Sequence, residues 1–329
     1  MRITPRGIVN SANAEDLRHI RSTFKRENYL RIPAFIEPRL LAVILKYLQR
    51  AHFEQSEYGE VGRDLALWNS PVVGALHLLM NDPALLEFVR RISGCGPVGS
   101  FTGRLYRMIA RPGMEFGWHS DLIENDLRVG VAMTINLGVQ PYRGGMLQMR
   151  RMDDKAITEI PNAEPGDAII FRLAHDLRHR VTPVEGKVPK TAFTGWFMAV
   201  PKYADLKREW LAGSNDVNGL EASRLRTTKT PAPEEAVSIP PTIVALPRRG
   251  ETIIASIRTG RFYRLNATAS RMWELMATGR SLHRSALVMA REYSVDVAVA
   301  ERDLIALAAN LAARQLITLG KAEKIERCR

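Results

Sequence analysis

Trp118-His119-Ser120-Asp121 places a histidine and an aspartate two positions apart in a stretch that predicts a β-strand. Side chains at positions i and i+2 of a strand point to the same face, so one face should carry both an imidazole and a carboxylate. A second histidine, His179, follows 60 residues later (179 − 119) within His179-Arg180-Val181-Thr182-Pro183-Val184. If a neighbouring strand brings it beside the first pair, three metal ligands converge. An HxD pattern alone is more often a polar strand face, so a metal site depends on the segments around it.

The segment after His179 predicts a strand, a turn rich in glycine and proline, and a second strand. Lys190, 11 residues after the histidine (190 − 179), would come back alongside the His179 strand with its ammonium near the metal. The alternatives are a solvated lysine at a strand end and Lys187, a second lysine in the same turn. Two histidines and one carboxylate form the facial triad that holds Fe(II) and leaves positions open for a co-substrate and O₂. The pattern therefore favours an iron site made by His119, Asp121 and His179.

Further motifs lie between and beyond the two histidines. They are the turn Gly144-Gly145-Met146-Leu147, the run Pro165-Gly166-Asp167-Ala168-Ile169-Ile170-Phe171, and the strand that carries Lys190 and Trp196. With the HxD and HxVxPV motifs, they make residues 101–199 resemble the Fe(II)- and 2-oxoglutarate-dependent oxygenases of the prolyl-4-hydroxylase type. The resemblance implies a double-stranded β-helix, a distorted jelly roll with the metal in its open mouth. It also implies a 2-oxoglutarate-dependent dioxygenase that acts as a hydroxylase.

The same resemblance implies roles for single residues. The three metal ligands would bind Fe(II), and Lys190 would pair with the far carboxylate of 2-oxoglutarate, where many relatives carry arginine. Asn136, on the opposite strand, is a second candidate for the co-substrate site, with buried amide packing as its alternative. Arg111 departs from the family, since some relatives carry a tyrosine just before this Pro-Gly. It either meets an anionic substrate or forms a surface salt bridge.

Length and composition predict an ordinary globular protein with two domains. The chain has 329 residues, 46% of them hydrophobic and 25% charged, and roughly 150 residues per domain is the usual expectation. No apolar run approaches the roughly 18 residues needed to cross a membrane, and the N-terminus lacks the apolar segment of a secretory signal. Two cysteines, Cys95 and Cys328, are too few for a disulfide framework. A cytoplasmic location is therefore expected.

The net charge of +12, from 47 basic and 35 acidic residues, gives mild support for an anionic partner. Arginines are spread along the whole chain, so their ordinary use as surface cations explains the charge equally well. No predicted helix has a dense basic face. We therefore expect no membrane association and regard nucleic acid as a weaker candidate partner.

Helical patterns come first in the chain and strand patterns follow. Predicted helices begin after Asn13 and near residues 37 and 82, and they would buttress a strand-rich core. From Phe101 onward, short strands alternate with Gly/Pro turns, which is typical of a sandwich or barrel. The predicted fold class is α+β, with an oxygenase domain at 1–211 whose double-stranded β-helix lies at about 101–200. Residues 212–237 have no hydrophobic period and predict a linker.

Residues 238–320 predict a small winged-helix-like domain of three strands and three helices. The second and third strands form a hairpin, and Asn266 caps the first helix. Residues 259–266, 269–275 and 311–317 resemble the PqqD-like module, a peptide chaperone first associated with pyrroloquinoline quinone biosynthesis. The resemblance implies that the domain binds the leader of a ribosomally made precursor peptide as an added strand. The edge that would accept this strand is formed by residues 261–265.

Three arginines on or beside that edge, Arg258, Arg261 and Arg264, are candidates to meet acidic leader residues. Their alternative role is to keep a hairpin soluble. The leading hypothesis is a hydroxylase of a precursor peptide, whose local concentration near iron is raised by leader binding. One rival is a hydroxylase of a free amino acid or small metabolite with a vestigial C-terminal domain, for which deleting residues 238–329 leaves the rate unchanged. Another is a nucleic-acid-binding or demethylating protein, which predicts salt-dependent affinity for DNA or RNA.

Overall fold

The structure is a computed structural model that describes residues 1–59, 61–68, 70–122, 128–154, 156–199, 230–248 and 250–321, together with the backbone of residues 215–216. The chain divides into two units, Met1–Glu209 and Trp210–Arg329. Among the described residues no single helix is both long and apolar enough to cross a membrane. One helix pair bent by 56°, Pro71–Met80 with Pro83–Ser93, meets the length and composition criteria when the two helices are taken together.

Four described helices lie in the first 93 residues of the first unit. They span Ala14–Glu27 (α1), Pro38–Leu48 (α2), Pro71–Met80 (α3) and Pro83–Ser93 (α4). Asn13 caps α1, because its side-chain oxygen accepts hydrogen bonds from the backbone N–H groups of Glu15 and Asp16. The predicted starts of α1, α2 and α4 are confirmed. Helix α3 is an addition to the prediction: its sequence is almost uniformly apolar and mostly buried, so no polar face marks a helical period.

The strands of the first unit begin with a small hairpin and continue into two larger sheets. In chain order they are β1 (Arg2–Thr4), β2 (Gly7–Val9), β3 (Tyr29–Ile32), β4 (Glu54–Glu57), β5 (Arg63–Leu67), β6 (Ser100–Met108), β7 (Phe116–His119), β8 (Arg128–Asn136), β9 (Arg143–Gly144), β10 (Leu147–Arg151), β11 (Thr158–Ile160), β12 (Ala168–Arg172), β13 (Leu177–Val181), β14 (Val184–Glu185) and β15 (Lys190–Met198).

Two antiparallel sheets form the centre of this unit. The larger has seven strands in the order β3-β12-β8-β15-β6-β5-β4, and the smaller has four in the order β11-β10-β13-β7. A hydrophobic cluster joins their inner faces, with Leu147, Met149 and Leu177 from the small sheet and Ala132 and Phe171 from the large one. This arrangement is the predicted double-stranded β-helix. Each strand alternates inward and outward side chains, so the inner faces supply the residues of a cavity between the sheets.

The second unit is built from a small sheet, a two-stranded ribbon and three described helices. In chain order its elements are β16 (Asn215–Asp216), β17 (Glu235–Ser238), β18 (Ile243–Arg248), β19 (Glu251–Ser256), β20 (Phe262–Leu265), α5 (Ala267–Met276), α6 (Leu282–Tyr293), α7 (Val297–Ala313) and β21 (Thr318–Lys321). The three predicted strands are β18 to β20, and the three predicted helices follow them. Tyr263, Trp273 and Leu304 contribute to one buried apolar cluster that holds the unit together.

Two features depart from the predicted linker at residues 212–237. Strand β17 begins at Glu235, inside the predicted linker, and pairs with β21. The backbone of Asn215–Asp216 forms β16, which lies parallel to β20 with Asn215 opposite Tyr263. Both segments are too short and too polar to show a strand period, and pairing with a neighbour defines them instead. Residues 217–229 of the predicted linker lie outside the described residues.

Candidate metal centre and active-site cavity

The structure brings His119, Asp121 and His179 together. One ligand atom from each lies within 4.8 Å of the others. Asp121 Oδ1 is 3.6 Å from Nε2 of His119, and Asp121 Oδ2 is 3.3 Å from Nε2 of His179. His119 and His179 are direct partners in the register of β7 and β13, which explains how residues far apart in sequence meet. Asp121 follows the end of β7, so the turn after the strand, and not strand alternation, positions its carboxylate.

Hydrogen bonds fix the orientation of two of these side chains. Nδ1 of His119 lies 2.7 Å from the carbonyl oxygen of Gly117, so an Nδ1–H donates to that oxygen and the Nε2 lone pair is free for a metal. Nε1 of Trp196 donates to Oδ2 of Asp121 at 2.8 Å. Such outer partners hold ligand side chains in the position that a metal requires.

The charge states also suit a metal. Burial alone raises the pKa of Asp121, but the hydrogen bond and charge of His179 and the bond from Trp196 outweigh it and hold the pKa at about 2. Burial, with the nearby His179, lowers the pKa of His119. At neutral pH the site therefore offers a carboxylate and a neutral imidazole, which are the forms that bind metal ions.

A cavity of about 430 Å³ opens from the three residues into the space between the sheets. Most of its wall is aromatic or aliphatic. The polar and charged exceptions besides the candidate ligands include Arg104, Arg128 and Lys190. The apolar lining includes Tyr58, Val61, Tyr106, Phe116, Ala132, Leu147, Phe171, Val181 and Trp196.

Lys190 is the first residue of β15 and lines this cavity. It lies in the seven-stranded sheet, across the cavity from His179, so the predicted return alongside the His179 strand is wrong. The side chain is buried, and its Nζ donates to the carbonyl oxygen of Gly145 at 2.6 Å. Within the described chain no carboxylate forms an ion pair with it, and burial lowers its pKa to about 8. An ammonium has three donors, so this cation has donors left for an anion. Lys187, the alternative, is exposed.

The side-chain amide of Asn136 is hydrogen-bonded to the main chain. Its Nδ2 donates to the carbonyl oxygen of Ala163, and its Oδ1 accepts from the backbone N–H of Gly138. Both ends of the amide are thus engaged by the main chain. The residue does line a small cavity of about 20 Å³ that adjoins Lys190, but it does not line the larger one.

Tyr142 is a candidate that the sequence pattern does not identify. It lines the small cavity together with Lys190 and Thr134. A Cβ built on Gly145 would lie 3.4 Å from the Tyr142 ring and 3.0 Å from Cδ of Lys190, so both side chains pack against this glycine. Burial raises the pKa of Tyr142 well above its ordinary value. No motif marks the residue, since it sits in a loop whose path depends on the fold. Arg111, by contrast, is exposed and lies outside the cavity lining.

A second group missed by sequence reasoning consists of Tyr58, Asp64 and Arg104. Asp64 is fully buried, and Nη2 of Arg104 donates to its Oδ2 at 2.8 Å. The phenol of Tyr58 donates to Oδ1 of Asp64 at 3.2 Å. Burial raises the pKa of Asp64 to about 6 against the opposing effect of Arg104. The acid and the base are 40 residues apart (104 − 64) and lie on the neighbouring strands β5 and β6, so only the fold brings them together.

In the second unit, the three predicted peptide-binding arginines lie near β20. Arg258 and Arg261 are exposed, and Arg264 is partly exposed with Nη1 3.8 Å from Oε1 of Glu251. The edge of β20 that was expected to be unpaired is occupied at Tyr263 and Arg264 by β16. An open strand edge accepts any suitable backbone, and here a segment of the same chain lies along part of it.

Comparison with protein families assigns both units. Residues 103–198 match the 2OG-Fe(II) oxygenase superfamily, and residues 251–317 match coenzyme PQQ synthesis protein D (PqqD). The chain thus carries a 2OG-Fe(II) oxygenase domain followed by a PqqD domain, as the sequence motifs predict. It is a 2-oxoglutarate-dependent dioxygenase, and its cofactor and co-substrates are Fe(II), 2-oxoglutarate and O₂.

Solved structures of similar proteins include a Pseudomonas putida prolyl-4-hydroxylase, with 20% identity, 56% of this chain and 100% of that chain covered, and a TM-score of 0.44. A 2OG-Fe(II) oxygenase family oxidoreductase from Burkholderia pseudomallei has 17% identity, covers 60% of this chain and 96% of its own, and has a TM-score of 0.45. TbiB1 in complex with the TbiA(beta) leader peptide has 30% identity over 24% of this chain and 92% of its own, with a TM-score of 0.24. The comparison with curated proteins found no match.

Proposed function

We propose that this dioxygenase hydroxylates a side chain of a ribosomally synthesised precursor peptide, and that its PqqD domain binds the leader of that peptide. The observation that carries the proposal is the presence of an oxygenase domain and a PqqD domain in one chain. The proposed domain limits are 1–211 for the oxygenase and 238–320 for the PqqD domain.

His119, Asp121 and His179 are the proposed iron ligands. Their ligand atoms are close enough to share one ion, and the pKa of Asp121 keeps the carboxylate charged. Two imidazoles and one carboxylate occupy three positions of an octahedral ion and leave the others for co-substrate and O₂. The donor set therefore fits Fe(II).

Lys190 is the proposed partner of the far carboxylate of 2-oxoglutarate. A buried ammonium without a carboxylate partner among the described residues is costly, and an anionic co-substrate would offset that cost. The cavity connects this ammonium with the candidate iron ligands, so one small dianion can reach both. Bound iron and 2-oxoglutarate supply the oxidising chemistry, in which O₂, 2-oxoglutarate and a C–H bond give succinate, CO₂ and C–OH.

The protein's own contribution is to hold the substrate and exclude water. The cavity wall near the candidate ligands is formed by side chains such as Phe116, Leu147 and Phe171, which offer little to hydrogen-bond with water. Excluding water protects a reactive oxidising site from side reactions. Trp196 holds the carboxylate of Asp121 in place while substrate and product exchange.

Leader binding would use β20. A strand added at its edge gains main-chain hydrogen bonds, and Arg258 and Arg261 are free to approach acidic leader residues. Because β16 pairs with only two residues of this edge, a longer leader strand that displaced it would make more hydrogen bonds than it removed. Binding the leader within the same chain raises the concentration of the core peptide near iron.

The test is a reaction of the purified full chain with Fe(II), 2-oxoglutarate and the peptides encoded by short open reading frames beside its gene. We expect a mass increase of about 16 Da in one peptide, equal to one oxygen atom, with matching succinate formation. The D121A variant should give neither. Turnover of a free amino acid together with unmodified peptides would reject the proposal in favour of a small-molecule hydroxylase.

A further inference from the structure

The cavity extends well beyond the region that 2-oxoglutarate would fill. On the paired strands β15 and β6, Lys190 is opposite Met108, and Thr194 is opposite Arg104. The four-residue offset along the strand (194 − 190) corresponds to roughly 13 Å at about 3.3 Å per residue. The co-substrate end at Lys190 and the opposite end at Arg104 are therefore separate parts of one cavity.

Arg104 lies close to the candidate iron ligands. The ring centroid of Phe116 is 6.4 Å from that of His119 and 5.8 Å from Cζ of Arg104. One aromatic ring thus separates the guanidinium from a metal ligand. A substrate that contacted Arg104 would extend past the Phe116 ring toward the candidate metal ligands.

The guanidinium is fixed in position by its surroundings. Asp64 accepts a hydrogen bond from Nη2, and Cζ lies 3.9 Å from the ring centroid of Tyr58. Tyr58 in turn donates to Asp64, so all three side chains depend on one another. A planar cation held by a buried carboxylate and an aromatic ring is well ordered before any ligand arrives.

Arg104 nevertheless has donors without acceptors. Its Nε is buried and has no hydrogen-bond partner among the described residues, and its hydrogen bond to Asp64 uses Nη2 alone. The guanidinium lines the active-site cavity, and Nη1, which makes no hydrogen bond among the described residues, is the donor left for an acceptor on a bound substrate.

We propose that Arg104 binds the substrate that is hydroxylated, through a carbonyl or carboxylate oxygen of that substrate. We further propose that the carbon oxidised at the metal belongs to an apolar side chain. The second part follows from Phe116, whose ring lies between Arg104 and His119 and offers a charged side chain no partner. The inference rests on the proposed function for the identity of the substrate as a peptide. A peptide provides a main-chain carbonyl, and a free amino acid provides a carboxylate.

The first variant is R104K, chosen because lysine can still pair with the buried Asp64 but lacks the planar second and third nitrogens. We expect the KM for the peptide that the wild type modifies to rise about tenfold, as for the loss of one or two hydrogen bonds. The ratio of succinate to hydroxylated product should also rise, because a loosely held substrate is oxidised less efficiently.

The matched control is R107K, on the same strand but on the opposite face, where Arg107 donates to Oγ1 of Thr191. It should keep the wild-type KM and product ratio. A double variant, R104M with D64N, removes both charges together and guards against a fold lost through an unpaired Asp64. Its thermal unfolding is compared with that of the wild type, and its KM should rise at least as much as that of R104K.

Peptides and free amino acids are tested as substrates, so that failure of the peptide hypothesis can be distinguished from failure of the Arg104 assignment. If no flanking peptide is modified, the same variants are measured with free leucine, proline, valine and phenylalanine, and turnover of one of these by the wild type rejects the peptide hypothesis. An unchanged KM and product ratio in both R104K and the double variant, with whichever probe the wild type accepts, overturns the assignment of Arg104. Preferential oxidation of a charged side chain would overturn the apolar assignment.

Discussion

Lys190 is a positive charge that the folded protein keeps away from water. Its only hydrogen bond among the described residues goes to the carbonyl oxygen of Gly145, and burial lowers its pKa to about 8. An uncompensated buried charge opposes folding, so its presence is reasonable where a ligand neutralises it. The same property makes the ammonium sensitive to pH just above neutrality.

Co-substrate affinity should therefore fall as the pH rises through about 8. The free protein loses the Lys190 proton in this range, whereas binding a carboxylate requires it, so Kd should increase by about tenfold per pH unit above the pKa. Calorimetric titration of the Mn(II)-loaded protein with 2-oxoglutarate measures the effect. K190R is the control, because a guanidinium stays charged across this range and its profile should be flat. Parallel profiles for the two proteins would exclude Lys190 as the titrating cation.

Tyr142 should be a second anchor for the same carboxylate. It lines the small cavity beside Lys190, and the described residues offer its hydroxyl no hydrogen bond. Y142F removes the hydroxyl but keeps the ring packed on Gly145, so we expect about a tenfold weaker 2-oxoglutarate affinity with little change in thermal stability. The same calorimetric titration at pH 7 tests this expectation, and an unchanged Kd would contradict it.

Residue types and spacing revealed one part of the site and not the other. His119, Asp121, His179 and Lys190 stand in motifs whose chemistry is readable from the sequence. Tyr142 and the pair of Asp64 with Arg104 have no local signature, because strand register and a loop path bring them to the cavity. Their side chains are common ones, so only the fold distinguishes them from surface residues.

At the scale of elements, β-strands with strong apolar character were predictable and short polar ones were not. Strands β8, β12 and β15 lie in the strand-rich segment predicted from Phe101 onward, where buried apolar residues, many of them β-branched or aromatic, mark them. Strands β4, β9, β14 and β16 are short or polar and depend on tertiary pairing. The predicted position of Lys190 beside the His179 strand is wrong for a related reason. The local periodicity of a sequence does not determine the order of strands in two facing sheets.

The turn at Gly144 and Gly145 should be intolerant of side chains. Gly144 has a φ of 66°, and a Cβ there would lie 2.1 Å from the carbonyl oxygen of Pro183, where β9 pairs with β14. We expect G144A to lower the free energy of unfolding by about 3 kcal/mol or more, from left-handed strain plus a backbone clash. G59A is the matched control. Gly59 has a φ of 56° but open space around it, so its change should cost only about 1 kcal/mol. Equal losses of unfolding free energy for the two variants, measured by chemical denaturation, would show that left-handed backbone strain alone causes the loss.

At the scale of the whole molecule, the proposal gives each unit a separate task. The oxygenase unit contains the candidate iron ligands and Lys190, and the PqqD unit contains the strand edge at β20. Neither task requires contact between the units, because joining them in one chain is enough to raise the local concentration of substrate.

Separating the units should then affect peptide turnover more than the basic chemistry. With residues 1–211 and 230–329 supplied as two chains at micromolar concentration, we expect peptide hydroxylation at low substrate to fall by about 100-fold. Succinate formation without peptide should be preserved in the first chain. Mass spectrometry and a succinate assay measure the two quantities. Equal peptide turnover by the separate and joined units would indicate that the second unit has no role in substrate capture.

The candidate iron ligands His119 and His179 belong to the small sheet, and Lys190 belongs to the large one. A diacid that touches both must match the spacing that the packed sheets impose, and the backbone cannot adjust it cheaply. The enzyme should consequently discriminate among 2-oxo diacids by carbon count, with oxaloacetate too short and 2-oxoadipate too long to satisfy both ends. The fixed separation of the two sheets would thus select the co-substrate by its length.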